Sequence, residues 1–122
     1  MVEDEHRLSN IIKKGMVEDG FAVDQAFDGD EGLYLSTSEQ YDLIVLDIML
    51  PKLNGFDVLK ETREKFTDKW RPVIIISALA ELDSLKKCYA LEADHYLTKP
   101  VSIEKILQGI ETMISLIPLR RD

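Results

Sequence analysis

Five side chains that can bind a metal ion or take part in phosphoryl transfer follow short apolar runs in this chain. They are Glu3, Asp4, Asp47, Ser77 and Lys99. Grouped carboxylates repel each other unless a cation neutralises them, and hard oxygen ligands of this kind suit Mg²⁺. A carboxylate can also attack phosphorus, while a lysine neutralises charge and a hydroxyl donates a hydrogen bond. The set therefore indicates magnesium-dependent phosphoryl transfer, provided that the fold brings its members together.

The apolar runs before these residues predict the strands of a parallel sheet. Residues 43–46 and 73–76 are continuous runs of Leu, Ile and Val, too short for buried helices and typical of strands covered on both faces. Residues 21–27 alternate in part and predict a less buried strand, and residues 95–98 predict another short strand. Because ligands bind at the carboxyl ends of parallel strands, three carboxylates, a hydroxyl and a lysine would collect at one edge.

Apolar residues at helical spacing between these runs predict the helices. Residues 30–38 are a weaker helix candidate, because three consecutive Ser and Thr residues are poor helix formers. The alternation of strands and helices predicts right-handed βαβ units and an α/β fold with helices on both faces of the sheet. The predicted buried stripes are Leu8, Ile11, Ile12 and Met16; Val58, Leu59, Thr62 and Phe66; Leu82, Leu85 and Tyr89; and Ile103, Ile106, Leu107, Ile110, Met113, Ile114 and Ile117.

Length, charge and cysteine content limit the class of protein. The 122 residues suit a single domain over residues 1–122, and the formal net charge is -8. A field of that sign disfavours direct binding of this domain to nucleic acid or to an anionic membrane. The single cysteine, Cys88, cannot form an internal disulfide, no apolar run has the length of a membrane span, and the acidic N-terminus does not resemble a signal peptide. We therefore expect a cytoplasmic protein.

Four stretches of the sequence carry a resemblance to a known family. They are VEDE (2–5), LIVLDIMLPKLNGFDVL (43–59), VIIISA (73–78) and EADHYLTKP (92–100). With these stretches the chain, from residue 2 to residue 117, resembles a receiver domain of the two-component response-regulator family. The resemblance implies a flavodoxin-like, doubly wound fold with five helices and a five-stranded parallel sheet in the order 2-1-3-4-5, an order that receiver domains illustrate.

The resemblance also implies the phosphoacceptor and the metal ligands. Asp47 occupies the phosphoacceptor position. Asp4 would bind Mg²⁺ directly, and Glu3 would act mainly through a water molecule bound to the metal. Asp47 and the backbone carbonyl of Met49 would complete the protein ligands.

Four further positions match functional positions of this family. Ser77 occupies the position of the switch hydroxyl, and Tyr96 that of the aromatic residue that moves between exposed and buried rotamers. Lys99 would form an ion pair with the phosphate. The bond between Lys99 and Pro100 would be cis, which directs the lysine into the site.

The function implied by the resemblance is a phosphorylation-controlled signalling switch rather than a metabolic enzyme. A sensor histidine kinase or a phosphotransfer protein would supply the phosphoryl group, and the domain would catalyse its own phosphorylation and slow dephosphorylation. The downstream effector is not readable from the sequence. The alternative is a receiver-like module that binds proteins without phosphorylation. A phosphatase that uses an aspartyl-phosphate intermediate is disfavoured, because Met49 stands where such enzymes place a second aspartate as acid and base.

Two departures from the family pattern affect the scaffold. Only Met1 and Val2 precede the acidic pair, so the first strand, expected in the middle of the sheet, is unusually short and would leave backbone groups of its neighbours unpaired. Either the chain starts inside the natural strand or another chain fills the gap, and a homodimer remains an alternative. Glu92 stands where the family usually has glycine and where a positive φ is common.

Overall fold

The computed structural model describes residues 1–38, 41–49, 54–65, 70–78 and 82–120. Within these ranges the chain forms five helices and three strands. In chain order they are α1 (His6–Glu18), α2 (Gly29–Ser38), β1 (Ile44–Asp47), α3 (Gly55–Lys65), β2 (Val73–Ser77), α4 (Leu82–Ala90), β3 (His95–Thr98) and α5 (Ile103–Arg120). The predicted α/β fold with five helices and a parallel sheet is confirmed.

The three strands form one parallel sheet in the order β1-β2-β3. Asp47 at the end of β1 pairs with Ile76, and Ser77 at the end of β2 pairs with Thr98. The strands therefore finish at the same edge of the sheet. Because of this register, the ends of β1 and β2 lie beside the end of β3, which Lys99 directly follows.

The first two predicted strands are represented by single bridges rather than by ladders. Val2 forms parallel bridges with Ala26 on one side and Leu46 on the other. The Val2 amide donates to the Val45 carbonyl at 2.8 Å, and the Ala26 amide donates to the Met1 carbonyl at 2.8 Å. Two residues before the acidic pair are too few to form a ladder, so the described residues do not confirm a five-stranded sheet.

Successive residues of the central strands point to opposite faces and build two hydrophobic clusters. Leu46 and Ile75 face the side covered by α3 and α4, where they join Val58 and Leu59 of α3 and Cys88 of α4. The opposite side is covered by α1 and α5. Its buried members are Ile12, Met16, Val45, Ile74, Ile76, Ile106 and Ile110. The sheet is thus covered on both faces, as the continuous apolar strands predict.

The helix stripes were predicted well for α3 and α5 and less well for α1 and α4. Phe66 lies outside the described residues, but its predicted partners Val58, Leu59 and Thr62 are buried. Ile11 of α1 is 45% exposed, so its predicted burial is wrong. On α4, Leu82 and Tyr89 are also exposed. This helix packs against the sheet mainly through Cys88, which is fully buried, while Leu85 is only partly buried.

None of the helices in the described part of the chain is long and apolar enough to cross a membrane.

Candidate functional site

The residues predicted to do chemistry meet at the carboxyl edge of the sheet. Asp47 is the last residue of β1, and Ser77 is the last residue of β2. Lys99 directly follows β3, and its amide donates to the Ser77 carbonyl at 2.7 Å. Glu3 reaches the same edge because its amide donates to the Ala26 carbonyl at 3.0 Å, next to the bridges of Val2.

Lys99 binds both buried carboxylates of the site. Its Nζ donates to Glu3 Oε1 and, at 2.9 Å, to Asp47 Oδ2. The second oxygen of Asp47, Oδ1, accepts a hydrogen bond from the backbone amide of Met49 at 3.0 Å. The phosphoacceptor candidate is therefore fixed through both oxygens, one by a lysine and one by the chain that follows β1.

Burial shifts the proton affinities of the charged groups. Glu3 is fully buried and Asp47 is 2% exposed. Burial, together with the neighbouring Asp47, raises the pKa of Glu3 to about 8, although Lys99 opposes the shift. Burial alone would lower the pKa of Lys99, but its hydrogen bonds to Glu3 and Asp47 outweigh this, and the pKa is raised. At Glu3, burial and the neighbouring Asp47 together outweigh the effect of Lys99 on the pKa.

The carboxylate group fits a divalent cation. Glu3, Asp4 and Asp47 each offer one oxygen, and these oxygens lie within 4.8 Å of one another. Among the described residues, Glu3 Oε2 is buried without a hydrogen-bond partner. Mg²⁺ prefers a few carboxylates together with water and phosphate oxygens, and a bound cation would offset the cost of burying these charges. The carbonyl of Met49 as a further ligand stays a prediction, and the Met49 side chain is 55% exposed.

The two predicted switch residues contact each other in this structure. Ser77 is fully buried, and Tyr96 is 9% exposed within the cluster of Leu46, Ile75 and Cys88. Burial raises the pKa of Tyr96, while its hydrogen bond with Ser77 acts in the opposite direction.

Close backbone packing supports the loop after β1. A Cβ atom on Gly55 would lie 2.3 Å from the Asp47 carbonyl oxygen, so α3 can begin there only with glycine. The Asn54 side chain accepts from the Asp57 amide at 3.1 Å and caps this helix. The Lys99–Pro100 peptide bond is cis. Leu50 and Pro51 of the motif lie outside the described residues.

Sequence reasoning missed two groups of contacts near the site and its scaffold. The His6 ring stacks on Phe27, with 3.9 Å between the ring centroids and 11° between the planes. At the opposite edge, Asp94 Oδ2 accepts from Arg63 at 2.6 Å, and Asp94 Oδ1 accepts from the indole of Trp70 at 2.9 Å. Neither group has a spacing signal, because each joins segments that are distant in sequence.

Comparison with known proteins agrees with this geometry. A family model described as the response regulator receiver domain matches residues 1–111. The transcriptional regulatory protein CiaR of Streptococcus pneumoniae is 46% identical over 114 residues, which cover 93% of this chain and 50% of that protein. This chain thus spans half the length of that relative.

Two solved structures are also similar. The receiver domain of the Francisella response regulator 1452 is 34% identical, with a TM-score of 0.85 and 93% of each chain covered. The response regulator protein TrrA of Thermotoga maritima, in complex with Mg²⁺-BeF, is 29% identical, with a TM-score of 0.80, and 92% of this chain and 94% of that one are covered. The similarity to these proteins agrees with the fold, with the position of the candidate site at the carboxyl edge and with the sequence motifs. The chain belongs to the response regulator receiver domain family, whose members are phosphorylation-controlled switches of two-component systems rather than classical enzymes.

Proposed function

We propose that Asp47 is the phosphoacceptor of this receiver domain. The observation that supports this most directly is the position of its carboxylate, buried between Glu3 and Lys99 at the carboxyl edge. An Asp47 carboxylate oxygen forms a bond to phosphorus, and the bond between phosphorus and the partner's histidine nitrogen breaks. The released imidazole keeps the electron pair and takes up a proton. The donor is a sensor histidine kinase or a phosphotransfer protein.

The proposed cofactor is Mg²⁺, held by Glu3, Asp4, Asp47 and the Met49 carbonyl. A bound Mg²⁺ ion neutralises negative charge on the oxygens of the phosphoryl group during transfer. The unpartnered Glu3 Oε2 and the clustered carboxylate oxygens support this ligand set. The complex of the related protein TrrA with Mg²⁺-BeF is consistent with it.

Lys99, Ser77 and Tyr96 are the residues proposed to respond to the new phosphate. Lys99 already lies 2.9 Å from Asp47 Oδ2, within reach of a phosphoryl oxygen. Ser77 would donate a hydrogen bond to another phosphoryl oxygen, and its contact with Tyr96 would carry that movement to β3. The phosphorylated state then biases a two-state equilibrium of the surface formed by α4, β3 and α5.

The remaining assignments follow from the same reading. We propose a single cytoplasmic domain over residues 1–122 whose segments around Val2 and Ala26 stand in the first and second strand positions of a 2-1-3-4-5 sheet; the two bridges of Val2 support that order. The net charge of -8 argues against nucleic-acid binding by this domain itself. A downstream effector and, alternatively, a second copy of this chain are the further proposed partners, and a phosphorylation-independent module is not favoured.

The test is intact-mass spectrometry after incubation with MgCl₂ and acetyl phosphate. Wild-type protein is expected to gain one phosphoryl group, and chelation by EDTA should abolish the gain. Asp47→Asn should gain none, because the amide is not a nucleophile toward phosphorus. Asp19→Asn is the matched control, since Asp19 is an exposed aspartate at the C-terminal end of α1.

An adduct that persists in Asp47→Asn would contradict the assignment of Asp47. An absent adduct on folded wild-type protein would be followed by a phosphate-release assay, which detects rapid hydrolysis. No adduct together with no released phosphate would instead favour the phosphorylation-independent module.

A further inference from the structure

We propose that contacts between α1 and residues 25–27 form a brace that positions Asp4 for Mg²⁺ binding. The brace consists of three contacts: the His6 ring stacks on Phe27, and the Gln25 side chain donates hydrogen bonds to Ser9 and to Asn10. His6 and Phe27 are positioning residues and do not contact the ion in this proposal. It rests on the proposed magnesium site and adds the residues that hold one of its ligands in place.

The α1 side of the brace presents three residues on one helix face. His6, Ser9 and Asn10 are separated by three and four positions, so their side chains project from the same side of α1. The Gln25 amide nitrogen, Nε2, donates to Ser9 Oγ at 2.9 Å and to Asn10 Oδ1 at 3.0 Å. Gln25 and Phe27 are two positions apart in an extended segment, so their side chains point to the same side and both can meet this helix face.

The same extended segment also holds the chain just before Asp4. Ala26, between Gln25 and Phe27, forms a bridge with Val2, and its carbonyl accepts from the Glu3 amide at 3.0 Å. Only Asp4 and Glu5 separate Glu3 from His6, the first residue of α1. Both ends of this short connection are therefore fixed to residues 25–27.

Asp4 depends on this arrangement more than the other two carboxylates do. Glu3 and Asp47 are buried and share Lys99, whereas Asp4 is exposed in the connection. Its carboxylate oxygen nevertheless lies within 4.8 Å of the oxygens that Glu3 and Asp47 offer. Fixing both ends of the connection limits the positions that Asp4 can take before the ion arrives, and this preorganisation lowers the cost of binding.

The test is a titration of metal-free protein with MgCl₂ at one fixed pH, followed by NMR amide shifts. His6→Ala removes the stack and should raise the Kd for Mg²⁺ by about two- to tenfold, the factor that aromatic pairing energies imply. His6→Phe keeps a ring in place and should bind within about twofold of wild type. Gln25→Ala acts on the other half of the brace and should also weaken binding.

Tyr34→Ala is the matched control, because Tyr34 is an aromatic residue of α2 that is 69% exposed; its Kd should equal that of wild type. Each variant's thermal midpoint is measured without metal. A His6→Ala variant with a lowered thermal midpoint and an unchanged Kd for Mg²⁺ would show that the stack contributes only to stability, which would overturn the brace. Equal weakening by His6→Phe and His6→Ala would overturn it as well.

The failure of the magnesium site itself would look different. In that case folded wild-type protein shows no saturable shifts with MgCl₂, and Asp4→Asn behaves as wild type does. That result overturns both the proposed cofactor and the brace. Binding by wild type that is lost in Asp4→Asn but unaffected by His6→Ala and Gln25→Ala overturns the brace alone.

Discussion

At the scale of single residues, Cys88 shows how strongly the interior controls a side chain. Its thiol is fully buried in the cluster beneath α4, which also contains Tyr96, a predicted switch residue. Burial raises the pKa of Cys88 to about 11 from 9.0, although the nearby Lys87 charge opposes the shift. The folded protein therefore holds this proton more tightly than the unfolded chain does.

This shift predicts a pH dependence of stability. The contribution of the neutral thiol is complete below about pH 9 and is lost as the pH rises through about 11. Urea unfolding at about pH 8 and about pH 10.5 should show wild type losing about 1–2 kcal/mol more than Cys88→Ala between the two conditions. The cavity left by alanine costs the same at both values. An identical difference between the two proteins at both pH values would contradict the shift.

The sequence predicted which residues meet at the carboxyl edge of the sheet better than how they contact one another. Asp47, Ser77 and Lys99 could be found because each follows an apolar run that becomes a strand. The hydrogen bond from Lys99 to Glu3 could not, because it depends on side-chain reach between distant segments. The exposure of Leu82 and Tyr89 was missed for a related reason: they form the more apolar stripe of α4, but the helix packs through the small residue Cys88.

At the scale of elements, the turn between α4 and β3 joins three parts of the chain. Glu92 has a φ of 68°, in the left-handed region that favours glycine. The Arg63 guanidinium of α3 donates to the Glu92 carbonyl at 2.7 Å and 3.1 Å and to the Arg71 carbonyl. Asp94 completes the turn by accepting from the Val73 amide of β2 at 2.8 Å. These contacts hold Glu92 in a backbone conformation that is strained for a residue other than glycine.

Glu92→Gly should therefore stabilise the protein by about 0.5–1 kcal/mol, because glycine adopts this φ without the Cβ penalty. The backbone carbonyl that Arg63 binds is present in both proteins. The matched control is Glu61→Gly in α3, an exposed helical position, which should cost about 1 kcal/mol. Urea denaturation measures both. Destabilisation by Glu92→Gly would show that the Glu92 side chain contributes more than its backbone strain costs.

Elements were predictable where the local pattern is long or continuous. Five helices and the strands β1, β2 and β3 follow from periodicity and apolar runs. The predicted strand over residues 21–27 is reduced to the bridge at Ala26, because only Val2 lies beside it as a bridge partner. Strand length in a sheet is set by the neighbour as well as by the residue's own preference, and a single segment does not contain that information.

At the scale of the whole molecule, the two hydrophobic clusters share one sheet. Val45 belongs to the cluster beneath α1 and α5, while its neighbours Ile44 and Leu46 belong to the opposite cluster. The same alternation holds along β2. Neither cluster can lose its strand residues while the other keeps them, so the described parts of the chain form one cooperative unit.

We therefore expect one unfolding transition for the 122-residue chain, as a single domain of this size usually shows. Trp70 is the single tryptophan of the sequence, and its indole is tied to Asp94 at the amino edge of the sheet. Its fluorescence and the far-ultraviolet circular dichroism of the helices should give the same urea midpoint. Two separate midpoints would mean that part of the fold unfolds independently.

The lysine that joins the two buried carboxylates has a consequence for protein synthesis. Lys99 is 96 residues from Glu3 and 52 residues from Asp47 along the chain. At translation rates of roughly 5–20 residues per second, Asp47 leaves the ribosome several seconds before its lysine partner does. During that interval Glu3 and Asp47 lack Lys99, the residue that binds both of them in the folded protein. A nascent chain that has not yet exposed Lys99 therefore lacks the contacts that join Glu3 and Asp47, and the carboxyl-edge site can form only after Lys99 has left the ribosome.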